Sequence, residues 1–247
     1  SLHYWKRNLE SITTTHKLLL VDLLGFGDSP KPQSDYSLSI QLQALELILN
    51  KEEFNDGKTI IAGHSMGAMI SLALLEKQPT WFKAGIFISI PVYKNADEFK
   101  EIMSSHSFVD RISTSKFSKY ICMIHPIFMS SAFKPDNLTD DVYEDAKKHH
   151  WQSYYYSLTK VILKTDLYAI AKKIKDKDVL FIHGEKDTTA PLENALKLSK
   201  EFKNAQLITS SEGDHQFFLK EAEFVWNTIQ DFTISDKKLQ KTISNEH

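Results

Sequence analysis

The fold of this chain is decided by the stretch Thr59-Ile60-Ile61-Ala62-Gly63-His64-Ser65-Met66-Gly67-Ala68-Met69-Ile70. An apolar run typical of a β-strand ends at Gly63, a serine follows two residues later, and a helical pattern begins after it. The pattern G-x-S-x-G between a strand and a helix places the serine on a tight, strained turn that lifts its hydroxyl clear of the sheet. We expect Gly63 and Gly67 to leave room where a Cβ atom would collide with a neighbouring element.

Two later loops carry the residue types that activate a serine hydroxyl. Asp187 follows one apolar run and His215 follows another. A serine becomes a nucleophile when a histidine takes its proton and a carboxylate orients that histidine. Because the carboxyl ends of parallel strands meet at one crevice, we expect Ser65, Asp187 and His215 to lie together. Glu185, two residues from Asp187, is the alternative acid.

Apolar runs alternate with helical patterns along most of the chain, which predicts an α/β fold with a parallel sheet. The predicted strands cover residues 17–22, 58–62, 85–90, 178–183 and 206–209. Helical patterns cover residues 2–13, 37–50, 66–77, 97–105, 116–128, 140–149, 151–164, 192–202 and 217–232. The run at 17–22 has no alternation, as expected of a strand that is covered on both faces.

Residues 91–175 interrupt the alternation with helical segments that are rich in aromatic residues and methionine. We therefore divide the chain into three parts. An α/β core comprises residues 1–90 and 176–234, and a helical insertion over the sheet comprises residues 91–175. A polar tail at 235–247 is expected to be frayed or disordered.

Composition excludes several classes of partner. The chain has 247 residues, of which 42% are hydrophobic, and its net charge of −2 gives no reason to propose nucleic acid or an anionic membrane as a partner. Cys122 is the single cysteine, so an intrachain disulfide or a cysteine-based metal site is excluded. This usage fits the cytoplasm, where we predict the protein to act. No apolar run reaches transmembrane length, and the first residues do not resemble a signal peptide.

Four motifs resemble those of the α/β-hydrolase family, over nearly all of the chain outside residues 91–175 and the tail. They are D-L-L-G-F-G-D-S at 22–29, G-H-S-M-G at 63–67, H-G-E-K-D at 183–187 and G-D-H at 213–215. The resemblance implies Ser65 as the nucleophile, Asp187 as the triad acid and His215 as the general base. It also implies that the Met66 backbone N–H is an oxyanion-hole donor, and that residues 91–175 form a lid.

The family fold is a mostly parallel sheet flanked by helices, with an α-helical lid insertion. In the family, another oxyanion donor comes from a His-Gly loop after an early strand, just upstream of the first helix. The sequence begins at what we predict to be that helix, so we expect this loop and the N-terminal strands before it to be missing here. Loss of one such donor lowers the rate about 10²- to 10³-fold in a comparable serine enzyme.

These residues predict a serine hydrolase that cleaves a carboxylic ester through an acyl-enzyme, without a metal or organic cofactor. A serine at position 65 argues against dehalogenase and epoxide-hydrolase chemistry, because those relatives carry an aspartate at this place. The apolar insertion favours a small-molecule ester with an apolar acyl or aromatic part. Carbon–carbon bond hydrolysis and perhydrolysis by the same triad are alternatives, and a non-catalytic ligand-binding protein of the same fold is an alternative of another class.

Other histidines are interpreted as structural. His64 is expected to point away from the nucleophile on the turn, and His183 to be a hydrogen-bonded core residue at the end of a buried strand. The pair His149-His150 is interpreted as a solvated helix end rather than a metal site, because no carboxylate–histidine pattern surrounds it. The oligomeric state does not follow from the sequence.

Overall fold

The computed structural model describes residues 1–104, 134, 138–148 and 150–244, without the side chains of 103–104 and 235–244. The sheet of this part has four parallel strands in the order β1-β2-β3-β4. The strands are β1 (Thr59–His64), β2 (Phe82–Ile88), β3 (Asp178–Gly184) and β4 (Asn204–Ser210). The predicted α/β fold with a parallel sheet is therefore confirmed.

Helices cover both faces of the sheet. They are α1 (Leu2–Trp5), α2 (Glu10–Thr13), α3 (Leu38–Lys51), α4 (Met66–Lys77), α5 (Ala96–Ser104), α6 (Asp140–Lys147), α7 (Trp151–Tyr156), α8 (Leu167–Lys173), α9 (Leu192–Ser199) and α10 (Ala222–Ser244). A π-helical segment, Ser157–Ile162, continues α7, and a 3₁₀ turn, Phe217–Leu219, precedes α10. The predicted helix at 116–128 lies outside the described residues.

The two central strands, β2 and β3, alternate their side chains between two apolar layers. Phe87 and Phe181 pack with α4, α8 and α9 on one face of the sheet. Ile86 and Ile182 pack with α1, α2 and α10 on the other face. Because both faces are buried, each of these strands contains a continuous apolar run in the sequence. Such a run predicts a buried strand.

The segment 17–22 is not a strand, so that prediction is wrong. A cavity of about 1130 Å³ separates the segment from β1. Every residue of 17–21 and of 59–64 lines this cavity, which indicates that the backbone edges of both stretches face it, since side chains alone would line it alternately. In the described part of the chain, the backbone of 17–22 makes no ladder hydrogen bond. An apolar run becomes a strand only when a neighbouring backbone pairs with it.

The predicted helix at 2–13 is broken into α1 and α2. Asn8 adopts a φ of 49°, in the left-handed region that ends a right-handed helix. The Trp226 indole donates to the backbone carbonyl of Arg7 over 2.5 Å, and the Arg7 side chain donates to the Thr139 hydroxyl over 2.7 Å. These tertiary contacts hold the chain in the break, which helical periodicity alone does not show.

Two further differences between the predicted and the observed helices lie in the second half of the chain. The sequence pattern does not predict α8. This helix begins after Asp166, whose carboxylate accepts a hydrogen bond from the Ala169 N–H over 2.9 Å. The polar tail was expected to be frayed, whereas α10 continues through residues 235–244. This segment contains neither glycine nor proline, so no backbone signal ends the helix there.

The two glycines of the turn between β1 and α4 differ in their surroundings. A Cβ atom on Gly63 would lie 2.3 Å from the Gly67 carbonyl oxygen, so only glycine fits there. A Cβ atom on Gly67 would meet nothing within 4 Å. The expectation of a close approach is therefore confirmed for Gly63 and wrong for Gly67, which borders the open cavity.

We predict that Gly63→Ala lowers the free energy of unfolding by about 1–3 kcal/mol, because the added methyl forces β1 and α4 apart. Gly67→Ala, the matched control, should leave it unchanged or raise it by up to about 1 kcal/mol, since Gly67 lies within a helix. Urea unfolding of both variants measures the difference. Equal destabilisation by the two substitutions would contradict the close packing at Gly63.

Candidate active site

Ser65 lies at the turn from β1 into α4, at the carboxyl end of the sheet. Its backbone has φ 53° and ψ −128°, a conformation that a residue with a side chain rarely adopts. The Ser65 N–H donates to the carbonyl of Ile88 at the end of β2 over 3.0 Å, which ties the turn to the neighbouring strand. The strained backbone and this bond together fix the position of the serine hydroxyl.

The structure brings Ser65, His215 and Asp187 together. His215 lies in the loop after β4, and its Nε2 atom is 2.9 Å from Ser65 Oγ. Its Nδ1 atom is 2.8 Å from Oδ2 of Asp187, which lies in the loop after β3. The alternative acid, Glu185, is exposed and accepts a hydrogen bond from the Thr209 hydroxyl over 2.7 Å. The geometry thus distinguishes Asp187 from its neighbour.

The carboxylate of Asp187 is held in the ionised form. Burial raises its pKa, but the His215 imidazole and the Ala190 N–H, both of which donate to the carboxylate, outweigh burial and leave the pKa below its ordinary value. Oδ1 accepts the N–H groups of Thr189 and Ala190 over 3.0 and 2.8 Å. Oδ2 therefore accepts the Nδ1–H of His215, and Nε2 of the same ring is the atom that faces the Ser65 hydroxyl.

His183 supports the loop that carries Asp187. Its side chain is fully buried, and its Nε2 atom donates to the carbonyl of Ala190 over 2.6 Å. The same Nε2 atom lies 3.5 Å from Asp187 Oδ2. Burial lowers the pKa of His183, so the ring is neutral at neutral pH. These contacts agree with its interpretation as a hydrogen-bonded core residue.

His64 precedes the serine and turns its side chain toward the backbone of the His215 loop. Its Nε2 atom lies 2.8 Å from the carbonyl oxygen of His215. Tyr4 stacks on the ring with 4.3 Å between ring centroids. Desolvation, and to a lesser degree the nearby His215, lowers the pKa of His64 from about 6.5 to about 3. The ring is therefore uncharged at neutral pH.

Met66 is the first residue of α4, so no earlier helical carbonyl accepts its N–H. Ser65, Met66 and Gly67 line the cavity beside β1, which Val142 and Asp145 of α6 also border. The helix start is thus next to the serine hydroxyl and faces open space. This position suits an N–H donor to an oxyanion.

No group of three or more His, Cys, Asp or Glu side chains in the described ranges is arranged to hold a metal ion. His150 is the N-cap of α7 and donates its backbone N–H to the Ser153 hydroxyl over 3.1 Å, whereas His149 lies outside the described residues. Among the helices that the structure describes, none combines the length and the apolar character needed to cross a bilayer.

The sequence matches one protein family over most of its length. Residues 1–222 match the alpha/beta hydrolase fold family. The chain is 22% identical over 263 residues to the Probable lysophospholipase BODYGUARD 1 of Arabidopsis thaliana, covering 90% of this chain and 56% of that protein. The chain spans about half the length of the plant relatives that it matches along most of its own length.

Two solved structures show the same fold. An esterase from Exiguobacterium antarcticum superposes with a TM-score of 0.71 at 19% identity, covering 94% of this chain and 86% of the esterase. The meta-cleavage product hydrolase of Pseudomonas fluorescens IP01 superposes with a TM-score of 0.68 at 14% identity, covering 95% and 85% of the two chains. At these identities the likeness concerns the fold.

The depressed pKa values predict a protein that loses stability in acid. Between pH 6.5 and about 3, the unfolded chain binds a proton at His64 that the folded chain does not bind, so acidification favours unfolding. His183 acts in the same direction. The lowered pKa of Asp187 adds stability above its unfolded value, and that stability is lost as pH falls through the folded value.

Thermal unfolding measured across this pH range should show a falling Tm. The variant His64→Phe should show a shallower fall than the wild-type protein, because it lacks one group that takes up a proton on unfolding. Parallel Tm profiles for the two proteins would contradict the uncharged state of His64.

Proposed function

The chain belongs to the alpha/beta hydrolase fold family, and we propose that it is a serine hydrolase that cleaves carboxylic esters through an acyl-enzyme intermediate. One observation carries the proposal: an unbroken path of hydrogen bonds runs from Asp187 through His215 to the hydroxyl of Ser65. A serine on a strained strand-to-helix turn, with a histidine and a buried carboxylate behind it, is the arrangement that acyl transfer requires.

In the first step, Ser65 Oγ attacks the acyl carbon of the ester, and its proton passes to Nε2 of His215. The imidazolium that forms keeps its Nδ1–H on Asp187, which stays ionised and stabilises the positive charge. The carbonyl oxygen becomes an oxyanion, to which the Met66 N–H at the start of α4 donates. Transfer of the proton across the 2.9 Å between Ser65 Oγ and His215 Nε2 makes the serine oxygen a nucleophile.

The tetrahedral intermediate then collapses. The bond to the leaving oxygen breaks, and His215 Nε2–H donates its proton to that oxygen, so the alcohol departs and the acyl group remains on Ser65 Oγ. A water molecule next gives a proton to His215 Nε2 and attacks the acyl carbon. Collapse of this second intermediate returns the proton to Ser65 and releases the carboxylic acid.

The substrate that we propose is an ester with an apolar acyl or aromatic part. Tyr4 and Met66 line the cavity beside Ser65, together with apolar side chains of α6. The relatives named as lysophospholipases are consistent with an acyl ester of a lipid. We assign residues 91–175 the role of a lid, which α6 supports because it borders the same cavity.

Hydrolysis of short- and long-chain p-nitrophenyl esters tests this function. Ser65→Ala should lower kcat by up to about 10⁶-fold, and Asp187→Asn by about 10⁴-fold, as in other serine hydrolases with this arrangement. Glu185→Gln is the matched control, because it neutralises the nearby carboxylate that lies outside the hydrogen-bonded path, and it should keep wild-type turnover. Loss of activity in Glu185→Gln with retention in Asp187→Asn would reverse the assignment of the acid.

A ring-fission diketone belongs in the same panel. The same triad cleaves carbon–carbon bonds in such substrates, and a preference for the diketone over every ester would replace ester hydrolysis with that reaction. If neither the wild-type protein nor Ser65→Ala turns over any substrate of the panel, a ligand-binding protein without catalytic activity is favoured instead.

A further inference from the structure

The turn that carries the nucleophile contacts His215 at two separate points. The Ser65 hydroxyl meets the imidazole at Nε2 over 2.9 Å. The preceding residue, His64, meets the backbone carbonyl of the same histidine over 2.8 Å. No other hydrogen bond in the described part of the chain uses that carbonyl. Two consecutive residues of one strained turn therefore fix both the side chain and the main chain of His215.

The contact from His64 has a defined direction. A carbonyl oxygen only accepts hydrogen bonds, so Nε2 of His64 carries the proton and donates it. The ring is held in this orientation from one face by Tyr4, which stacks on it with an interplanar angle of 23°. Tyr4 in turn stacks on Phe218, which is fully buried and follows His215 by three residues. The donor is therefore part of a packed aromatic stack and does not depend on a flexible side chain.

We propose that His64 is a positioning residue for the general base: its Nε2–H anchors the main chain of His215 so that the imidazole stays within hydrogen-bond reach of Ser65 Oγ. This inference rests on the proposed function, because positioning matters only if His215 accepts the serine proton. The hydrogen bond of His64 is to the main chain of His215, not to Ser65 Oγ or to the imidazole. It acts through the loop between β4 and the turn Phe217–Leu219.

The chemistry of the ring suits this role. During acyl transfer, His215 becomes positively charged, and its ring centroid lies 5.1 Å from that of His64. A second positive charge at that distance would oppose proton transfer. Desolvation keeps His64 uncharged, so it donates a hydrogen bond without this electrostatic penalty. A lysine or arginine would donate as well but would place a permanent charge beside the base.

Two variants of His64 separate positioning from packing. His64→Phe keeps an aromatic ring for Tyr4 to stack on but removes the donor. His64→Gln returns an N–H donor at the distance of Nε2. We expect His64→Phe to lower kcat for p-nitrophenyl ester hydrolysis by about 10- to 100-fold with KM unchanged, since small displacements of a catalytic group cost this much. His64→Gln should recover kcat to within about five-fold of the wild type.

The second-order rate of inactivation by diisopropyl fluorophosphate should follow the same order as kcat. This reagent needs the activated serine but no particular ester substrate. Wild-type kcat in His64→Phe, or equal losses in both variants, would overturn the positioning role. If the wild-type protein hydrolyses no ester but is still inactivated by the reagent, the choice of substrate is wrong. The inactivation rates of the variants then still test the role of His64.

A measurement that does not depend on enzymatic activity completes the test. In ¹⁵N-labelled protein, the Nε2–H of His64 should give a proton signal that exchanges slowly with water, and this signal should be absent from His64→Phe. Slow exchange follows because the proton is hydrogen-bonded to the His215 carbonyl and Tyr4 covers one face of the ring. Absence of such a signal in the wild type would overturn the inference even if the protein hydrolyses no ester.

Discussion

The backbone of Ser65 holds a left-handed conformation, and the candidate site is built around that constraint. The conformation is possible because Gly63 lets β1 and α4 approach until the position of a Cβ atom would lie 2.3 Å from the Gly67 carbonyl oxygen. A hydrogen bond to Ile88 then ties the turn to the central strand β2. Both layers of the core pack against β2, so the strain at one residue is balanced by the packing of the whole sheet.

The reaction that we propose requires His215, next to this turn, to gain a positive charge. Asp187 is ionised because His215 and backbone N–H groups donate to its carboxylate. Desolvation lowers the pKa values of the two other histidines near the turn, His64 and His183, and so keeps both rings uncharged. One ionised carboxylate, that of Asp187, therefore lies beside the imidazole of His215. Similar environments that separate the roles of nearby titratable groups are characteristic of acid–base sites.

Parts of this arrangement could be predicted from the sequence because each rests on a local pattern. The strand, the glycine and the serine at 59–65 specify their own turn, and parallel topology brings the loops after β3 and β4 to the same edge. The predicted helix after Ser65 matches α4 residue for residue. The structure places Asp187, and not Glu185, beside His215, since a loop at the end of a strand directs only one of the two side chains inward.

Other features depend on partners that are distant in the sequence. Residues 17–22 have the composition of a buried strand, yet a strand also needs a paired neighbour, and a cavity lies there instead. The break between α1 and α2 depends on Trp226, more than two hundred positions away. His64 appeared structural because its spacing shows only that it points away from the serine hydroxyl. Its bond to the carbonyl of His215 joins two loops, and periodicity carries no information about it.

The most direct test of the account is the site at which diisopropyl fluorophosphate reacts. Peptide mapping by mass spectrometry should locate a single phosphoryl adduct on Ser65 of the native protein. The adduct should disappear when the protein is unfolded in urea before the reagent is added, because the hydroxyl is activated only by the folded geometry. An adduct on another residue, or an unmodified Ser65 in the folded protein, would contradict the assignment of Ser65 as an activated nucleophile.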